Sequence, residues 1–275
     1  MDSSVAHPPE TIEGWYALHQ LFALDRVGMR AQPEADLHAS RERAICALRE
    51  LATPTEGGWT AVATLTGSPA EALVLHFRPT LDAVGEAQRR LLREPLFDLL
   101  FPVYSFLSVT EAALYHATAE LARAAEERMG KVGDAEFERA MDERVRAELS
   151  SAHVQRRLYP PLPDDMPYVC FYPMSKKRDT GQNWYTLPLA ERSALMQSHG
   201  LTGRKYAGRI TQVIAGAIGL DAWEWGVTLF ARDPLDFKKI VTEMRFDEAS
   251  AKYAEFGDFY VGRIVGAEEW VRSLA

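Results

Sequence analysis

Cysteine is nearly absent: Cys46 and Cys170 are the only two in 275 residues, far apart and outside any CxxC spacing. A disulfide framework and a zinc knuckle are therefore excluded, and both thiols are expected to be small buried hydrophobes of a reducing compartment. The histidines form no HxxxH pair, so a multi-histidine metal site lacks its donors. Long apolar runs are missing too. The most apolar stretch, Leu96 to Val109, is interrupted by Asp98, Pro102, Ser105 and Ser108 and falls short of the ~20 residues a membrane helix needs. Met1 to Glu10 has neither a basic nor an apolar leader segment, and its paired prolines suit an extended arm. The expectation is a cytoplasmic protein without a membrane span. Positive charge is in deficit, with 31 Lys plus Arg against 39 Asp plus Glu, a net charge of -8. Such a surface repels phosphate backbones, which excludes nucleic acid as the main partner.

What is present is the composition of a folded chain, 47% hydrophobic and 25% charged. Trp15 to Leu24 reads as a strand. A helix follows, carrying Leu37, Ala44, Leu48 and Leu51 at steps of seven, four and three residues, with Ile45 on the same face. Gly57 and Gly58 introduce a strand from Trp59 to Leu65, and the Gly67-Ser68-Pro69 break separates it from a second, Ala72 to Phe77. Pro79 and Thr80 open a helix to about Arg93, and Pro102 to Val109 is a strand. The order is β-α-β-β-α-β. Ala117 to Leu149 is a charged, proline-free helical connector with a break at Gly130 to Gly133.

After Pro160, Pro161, Pro163 and Pro167 the order begins again. Tyr168 to Tyr172 is a strand, Pro188 to His199 a helix ended by Gly200, Arg209 to Ile214 and Glu224 to Phe230 strands, Pro234 to Met244 a helix and Phe259 to Val265 a strand. The expected class is α+β, a duplicated ferredoxin-like unit, with residues 1–116 as the first unit, 117–166 as connector and 167–275 as the second. Neither half alone covers both faces of its sheet, so the two should pack together or curl into a barrel with helices outside, a dimeric α+β barrel within one chain.

Two places carry chemistry. His199 shares a helix face with Leu195 and Met196, which suits either a core or helix-end histidine or an axial haem ligand, a neutral imidazole on an apolar wall. Tyr168 to Arg178 places Tyr172 at a strand end before Lys176, Lys177 and Arg178. That run is either a strand edge with a solvated basic turn or a redox or acid tyrosine beside an anion clamp.

The segments FYPMSKKR (Phe171 to Arg178), NWYTLPLAER (Asn183 to Arg192), the pair His199-Gly200, Gly203 to Ala231 with DAWEWGVTLFA, and EMRFDEASAKYAEFGDFYVG (Glu243 to Gly262) closely resemble the chlorite dismutase-like family, specifically its coproheme decarboxylases. The likeness covers most of Arg157 to Val265; the first half resembles the family only in element order and fragments such as Trp15 to Leu21. The resemblance implies a duplicated ferredoxin-like fold, a homopentamer, and Fe-coproporphyrin III (coproheme) bound in the second unit. It also implies a reaction in which hydrogen peroxide drives loss of two propionate carboxyls as carbon dioxide, leaving haem b.

By position, His199 then matches the proximal iron ligand and Tyr172 the redox tyrosine. Lys176 matches the lysine near a reacting propionate, Gln212 the distal residue, and Arg157 and Ser250 propionate contacts, with Met174 and Trp184 as pocket neighbours. An arginine fork, an ammonium and a hydroxyl are the donors that four propionates require. Chlorite dismutases place an arginine where Gln212 stands, and a neutral amide holds an oxychlorine anion poorly. With Tyr172, this favours decarboxylation and leaves peroxide activation without a strong distal base. The alternatives are a chlorite dismutase or haem peroxidase, and a haem-binding carrier or regulator without turnover. The upstream coproporphyrin ferrochelatase is the expected delivery partner.

Overall fold

The computed structural model describes residues 7–274, and the first part of the expected N-terminal arm lies outside them. The chain runs β1 (Thr11–Leu24), α1 (Arg26–Ala31), α2 (Glu34–Ala52), β2 (Trp59–Thr66), β3 (Ala72–Arg78), α3 (Leu81–Leu92) and β4 (Leu100–Ala113). Three helices follow, α4 (Tyr115–Glu127), α5 (Ala135–Leu149) and α6 (Ala152–Leu158). The second half comprises β5 (Tyr168–Lys176), a small hairpin of β6 (Arg178–Asp179) and β7 (Gln182–Asn183), α7 (Leu189–Arg204), β8 (Ile210–Gly216) and β9 (Trp225–Ala231). It ends with α8 (Leu235–Met244), α9 (Glu248–Ala251), β10 (Ala254–Phe256), β11 (Tyr260–Val265) and α10 (Ala267–Ser273).

Local chemistry sets many of these boundaries. Asp25, Thr80 and Asp134 each cap a helix by accepting an N–H of its first turn. Gly58, at φ +87°, brings the backbone against Phe77 O, where a Cβ would stand 2.0 Å from that oxygen. Only glycine allows this approach at the entry to β2.

The strands form one antiparallel system in the order β10-β5-β11-β2-β3-β1-β4-β8-β9, and a further ladder joins β9 back to β5. Eight strands thus close into a barrel, with β10 appended to the end of β5. Each half contributes four strands in an equivalent order, β2-β3-β1-β4 and β8-β9-β5-β11. The halves meet at two joints of the same kind: the last strand of each pairs with the second strand of the other, β4 with β8 and β11 with β2.

Alternation along the strands sends one row of side chains into the barrel. Ala17, Leu21, Ala61, Ala63, Leu73, Leu75, Phe77, Phe106, Val169, Phe171, Val213 and Phe230 form its core. The outer face of the first half is covered by α2 with Leu37, Ala44, Ile45 and Leu48. The outer face of the second half carries Cys170, Tyr172, Val227 and Leu229 against Phe237 and Ile240 of α8.

The expected α+β class, the two repeats and the break between α4 and α5 are all present. Three expectations need correction. The helix bearing His199 does not stop at Gly200 but continues to Arg204. The strand through Tyr172 runs on to Lys176, so the tyrosine is internal to it. Cys46 is exposed, on the solvent flank of α2, whereas Cys170 is buried. Helix α6 lies within the expected connector, and α10 follows the last expected strand. No helix among the described residues is long and apolar enough to cross a membrane.

Candidate functional site

On β5 the period of two that puts Val169 and Phe171 inside the barrel puts Cys170, Tyr172, Met174 and Lys176 outside. Tyr172 is 7% exposed. Its ring stacks on Phe259 at 4.4 Å and leans on Phe256 at 5.9 Å, and the Arg245 guanidinium lies 4.0 Å above the Phe256 ring. Burial pushes the phenol well above its ordinary pKa, and Arg245 offsets this only in part. Tyr172 is therefore a protonated, desolvated phenol at neutral pH.

Lys176 closes the strand and is buried. Its ammonium donates to Ala249 O at 3.2 Å and sits 4.1 Å over the Trp184 ring. Burial lowers its pKa to about 8 against the opposing pull of the Asp247 and Glu224 carboxylates. Trp184 is fully buried between Lys176 and Tyr253, which lies 5.7 Å from it. Leu195 and Met196 of α7 pack onto this cluster, and so bring the helix that carries His199 to it.

His199 Nδ1 is 2.8 Å from Asp247 Oδ2. A carboxylate only accepts, so Nδ1 is the donor, and the neutral imidazole in this tautomer carries its lone pair on Nε2. The imidazole is partly exposed and Asp247 is buried. The same carboxylate caps α9 by accepting the Ser250 N–H at 3.2 Å. Asp247 thus ties His199, the Ser250 turn and the field around Lys176 into one group. Asp247 and Arg245 stand in the same EMRFDEAS segment as Ser250, and neither is among the expected site residues. The Asp-Glu-Ala-Ser pattern after a helix is an N-cap signal that points to Asp247.

Gln212 lies on the outer face of β8 in register with Leu229 of β9 and is exposed. It shares that face with Tyr172 but stands on a different strand. Arg157, on α6, is exposed and reaches Glu111 O at 3.5 Å, beside β4 rather than in the cluster around Asp247. Among the expected site residues, Lys176, Trp184, His199 and Ser250 meet around Asp247 and Ala249, and Tyr172 and Met174 continue the same row. A cleft of 460 Å³ lined by Ser175, Lys176, Lys177, Arg178, Trp223 and Glu255 opens beside this group without including His199 or Tyr172.

Chemically, His199 Nε2 is available to a metal, and Lys176, Arg245, Arg157 and the Ser250 hydroxyl are available to carboxylates. Fold and site together define a closed α+β barrel of two repeats, with a carboxylate-bonded histidine on one helix and a buried tyrosine and lysine on one strand. The chain belongs to the chlorite dismutase family, whose profile matches residues 41–265. A solved structure described as a novel heme-binding protein from Thermus thermophilus is 40% identical, covers 98% of both chains and superposes with a TM-score of 0.81. Two structures of chlorite dismutase from Candidatus Nitrospira defluvii share the fold. A variant enzyme is 15% identical over 96% of both chains, and an imidazole complex is 16% identical over 95% of both, each with a TM-score of 0.71.

Proposed function

We propose that the protein is a hydrogen peroxide-dependent coproheme decarboxylase, converting Fe-coproporphyrin III to haem b. The observation that carries this reading is the pairing of a carboxylate-bonded, metal-ready His199 with a buried, protonated Tyr172 and a buried Lys176 on the second half of the barrel. The heme-binding description of the Thermus protein supports binding of a haem-type group. The substrate's own iron, once bound with peroxide, supplies the oxidising power.

The chain's residues have distinct tasks in this reading. His199 anchors the iron through Nε2, and Asp247 keeps the imidazole in the required tautomer and orientation. Arg157, Lys176 and Ser250 hold propionates, with Arg245 as a further cation beside Tyr172. Tyr172 would give its phenolic proton and an electron to the peroxide-oxidised haem and regain a hydrogen atom from the β-carbon of a propionate held next to it. Loss of a second electron from that carbon would break its neighbour's bond to the carboxyl, releasing carbon dioxide and leaving a vinyl group, with one peroxide reduced to two waters per carboxyl lost. Met174 and Trp184 wall the pocket. Gln212, on the outer face of β8, would be the distal residue and, being neutral, would discriminate against chlorite. Assembly as a homopentamer, a cytoplasmic location and supply of substrate by a coproporphyrin ferrochelatase belong to the same reading.

The test is to load the protein with iron coproporphyrin III and add peroxide. Sequential loss of two carboxyl masses is expected. Oxygen release from chlorite would instead identify a chlorite dismutase, and binding without product a carrier.

A further inference from the structure

We propose that Glu224 is a positioning residue for Lys176: its carboxylate locks the lysine's backbone at the end of β5 and supplies a buried negative charge that acts on the ammonium. This rests on the assignment of Lys176 to a reacting propionate.

The ladder between β5 and β9 ends at Met174 and Trp225, so Ser175 and Lys176 project beyond their last strand partner on that side. On their other side β10 pairs with them, Ala254 opposite Lys176 and Glu255 opposite Ser175. Glu224 replaces the missing strand. Its Oε2 accepts the Lys176 N–H at 2.7 Å, and its own N–H donates to Met174 O at 3.1 Å and lies 3.2 Å from Ser175 Oγ. Its carbonyl accepts the Ala217 N–H at 2.7 Å, which ties the clamp to the end of β8. A glutamate that served only this backbone role would be matched by any acceptor of the same length.

The surroundings call for a charge as well. Glu224 is 8% exposed and has no lysine or arginine partner within ion-pair distance among the described residues. Two buried carboxylates favour the charged form of Lys176, Asp247 at the cap of α9 and Glu224 just before β9. Asp247 is already committed to His199 and the Ser250 N–H. Ala249 O and the Trp184 ring complete the shell, and Lys177, Arg178, Asp179 and Glu255 line the cleft beyond it. Burial draws the ammonium toward neutrality, and Glu224 opposes that loss. Tyr185 is held in its protonated form by burial and by the same carboxylate.

Glu224→Gln keeps an acceptor of the same length and removes the charge; Glu224→Ala removes both. The measurement is a titration of the Lys176 15Nζ resonance in haem-free protein labelled with 15N-lysine, assigned by its loss in Lys176→Met. Glu224→Gln should lower the apparent pKa of Lys176 by about one unit while its thermal melt stays near the parent's. An unchanged titration in Glu224→Gln would overturn the proposal, whether or not Glu224→Ala folds. With coproheme and peroxide, Glu224→Gln should accumulate the mono-decarboxylated species at a lower pH than the parent. Because the titration uses haem-free protein, it stands apart from the decarboxylase reading, which fails only if the parent gives no product.

Discussion

Asp247 holds one nitrogen of His199, and that single contact decides what the imidazole offers on its other side. His199→Ala should reduce ferric coproheme affinity by more than about 100-fold, beyond the 10–100-fold that outer partners of a ligand are worth. A spectral titration in parent and variant checks this, and an unaltered ferric spectrum would refute the assignment. Tyr172 makes a different prediction because its ring fills space between Phe256 and Phe259, whereas the proposed reaction runs through its hydroxyl. Tyr172→Phe keeps the ring, so binding should stay near the parent's while the first carboxyl loss slows by about 100-fold or more, the lower end for removal of a proton-transferring group. Single-turnover mass spectrometry after one addition of peroxide separates the two effects. Lys176→Ala should spare the first loss and stall the second.

Helix α7 shows how an element can outrun its sequence signals. Gly200 has the chemistry of a stop, but it is an exposed helical residue with nothing near its missing Cβ, and the helix continues to Arg204. A glycine inside a helix costs about 1 kcal/mol relative to alanine, too little to end one that packs on its neighbours. Gly200→Ala should therefore stabilise the haem-free protein by about 0.5–1 kcal/mol, seen as a higher melting temperature. If coproheme affinity falls in the same variant, the glycine is there to let the substrate approach. Strand β5 outruns its signals in a similar way, at Pro173. That proline is tolerated because its missing N–H falls where the β11 ladder, ending at Phe171, gives way to β10, beginning at Met174. The strands β2 and β3, the face of α2 and the repeated order are legible in the sequence because they rest on local patterns: short apolar runs between glycine and proline breaks, and one helical period. The links from His199 to Asp247 and from Lys176 to Glu224 each join residues 48 positions apart, and no spacing rule reports them.

Across the whole molecule, one histidine is buried inside the barrel and another in its wall. His19 lies inside, stacked on Phe171 at 4.1 Å and bonded to Thr228 Oγ1 at 2.8 Å. His76 lies on the outer face, 2.9 Å from Thr60 Oγ1. Burial lowers both from 6.5 to about 3. The unfolded chain therefore binds protons between those values that the native state refuses. Stability conferred by the two neutral rings is complete above about pH 6.5 and is lost as pH falls toward about 3, at up to about 1.4 kcal/mol per unit for each ring. Urea midpoints at about pH 7.5 and about pH 5 should differ less in His19→Gln than in the parent. A slope unchanged by that substitution would mean the ring is already charged in the fold.

The two equivalent joints, β4 with β8 and β11 with β2, have a consequence for a severed chain. Each half alone would expose two raw strand edges and one uncovered sheet face, and the only tether between the halves runs outside the barrel through α4, α5 and α6. That tether contains an exposed turn between Arg128 and Asp134, away from every barrel ladder. Two polypeptides divided in this turn should recognise each other and rebuild the barrel by fragment complementation, co-purifying through a tag placed on one of them. The pairing would rest on the same contacts that close the intact molecule: His19 on Phe171, and Trp59 against Phe230, each reaching from one half into the other.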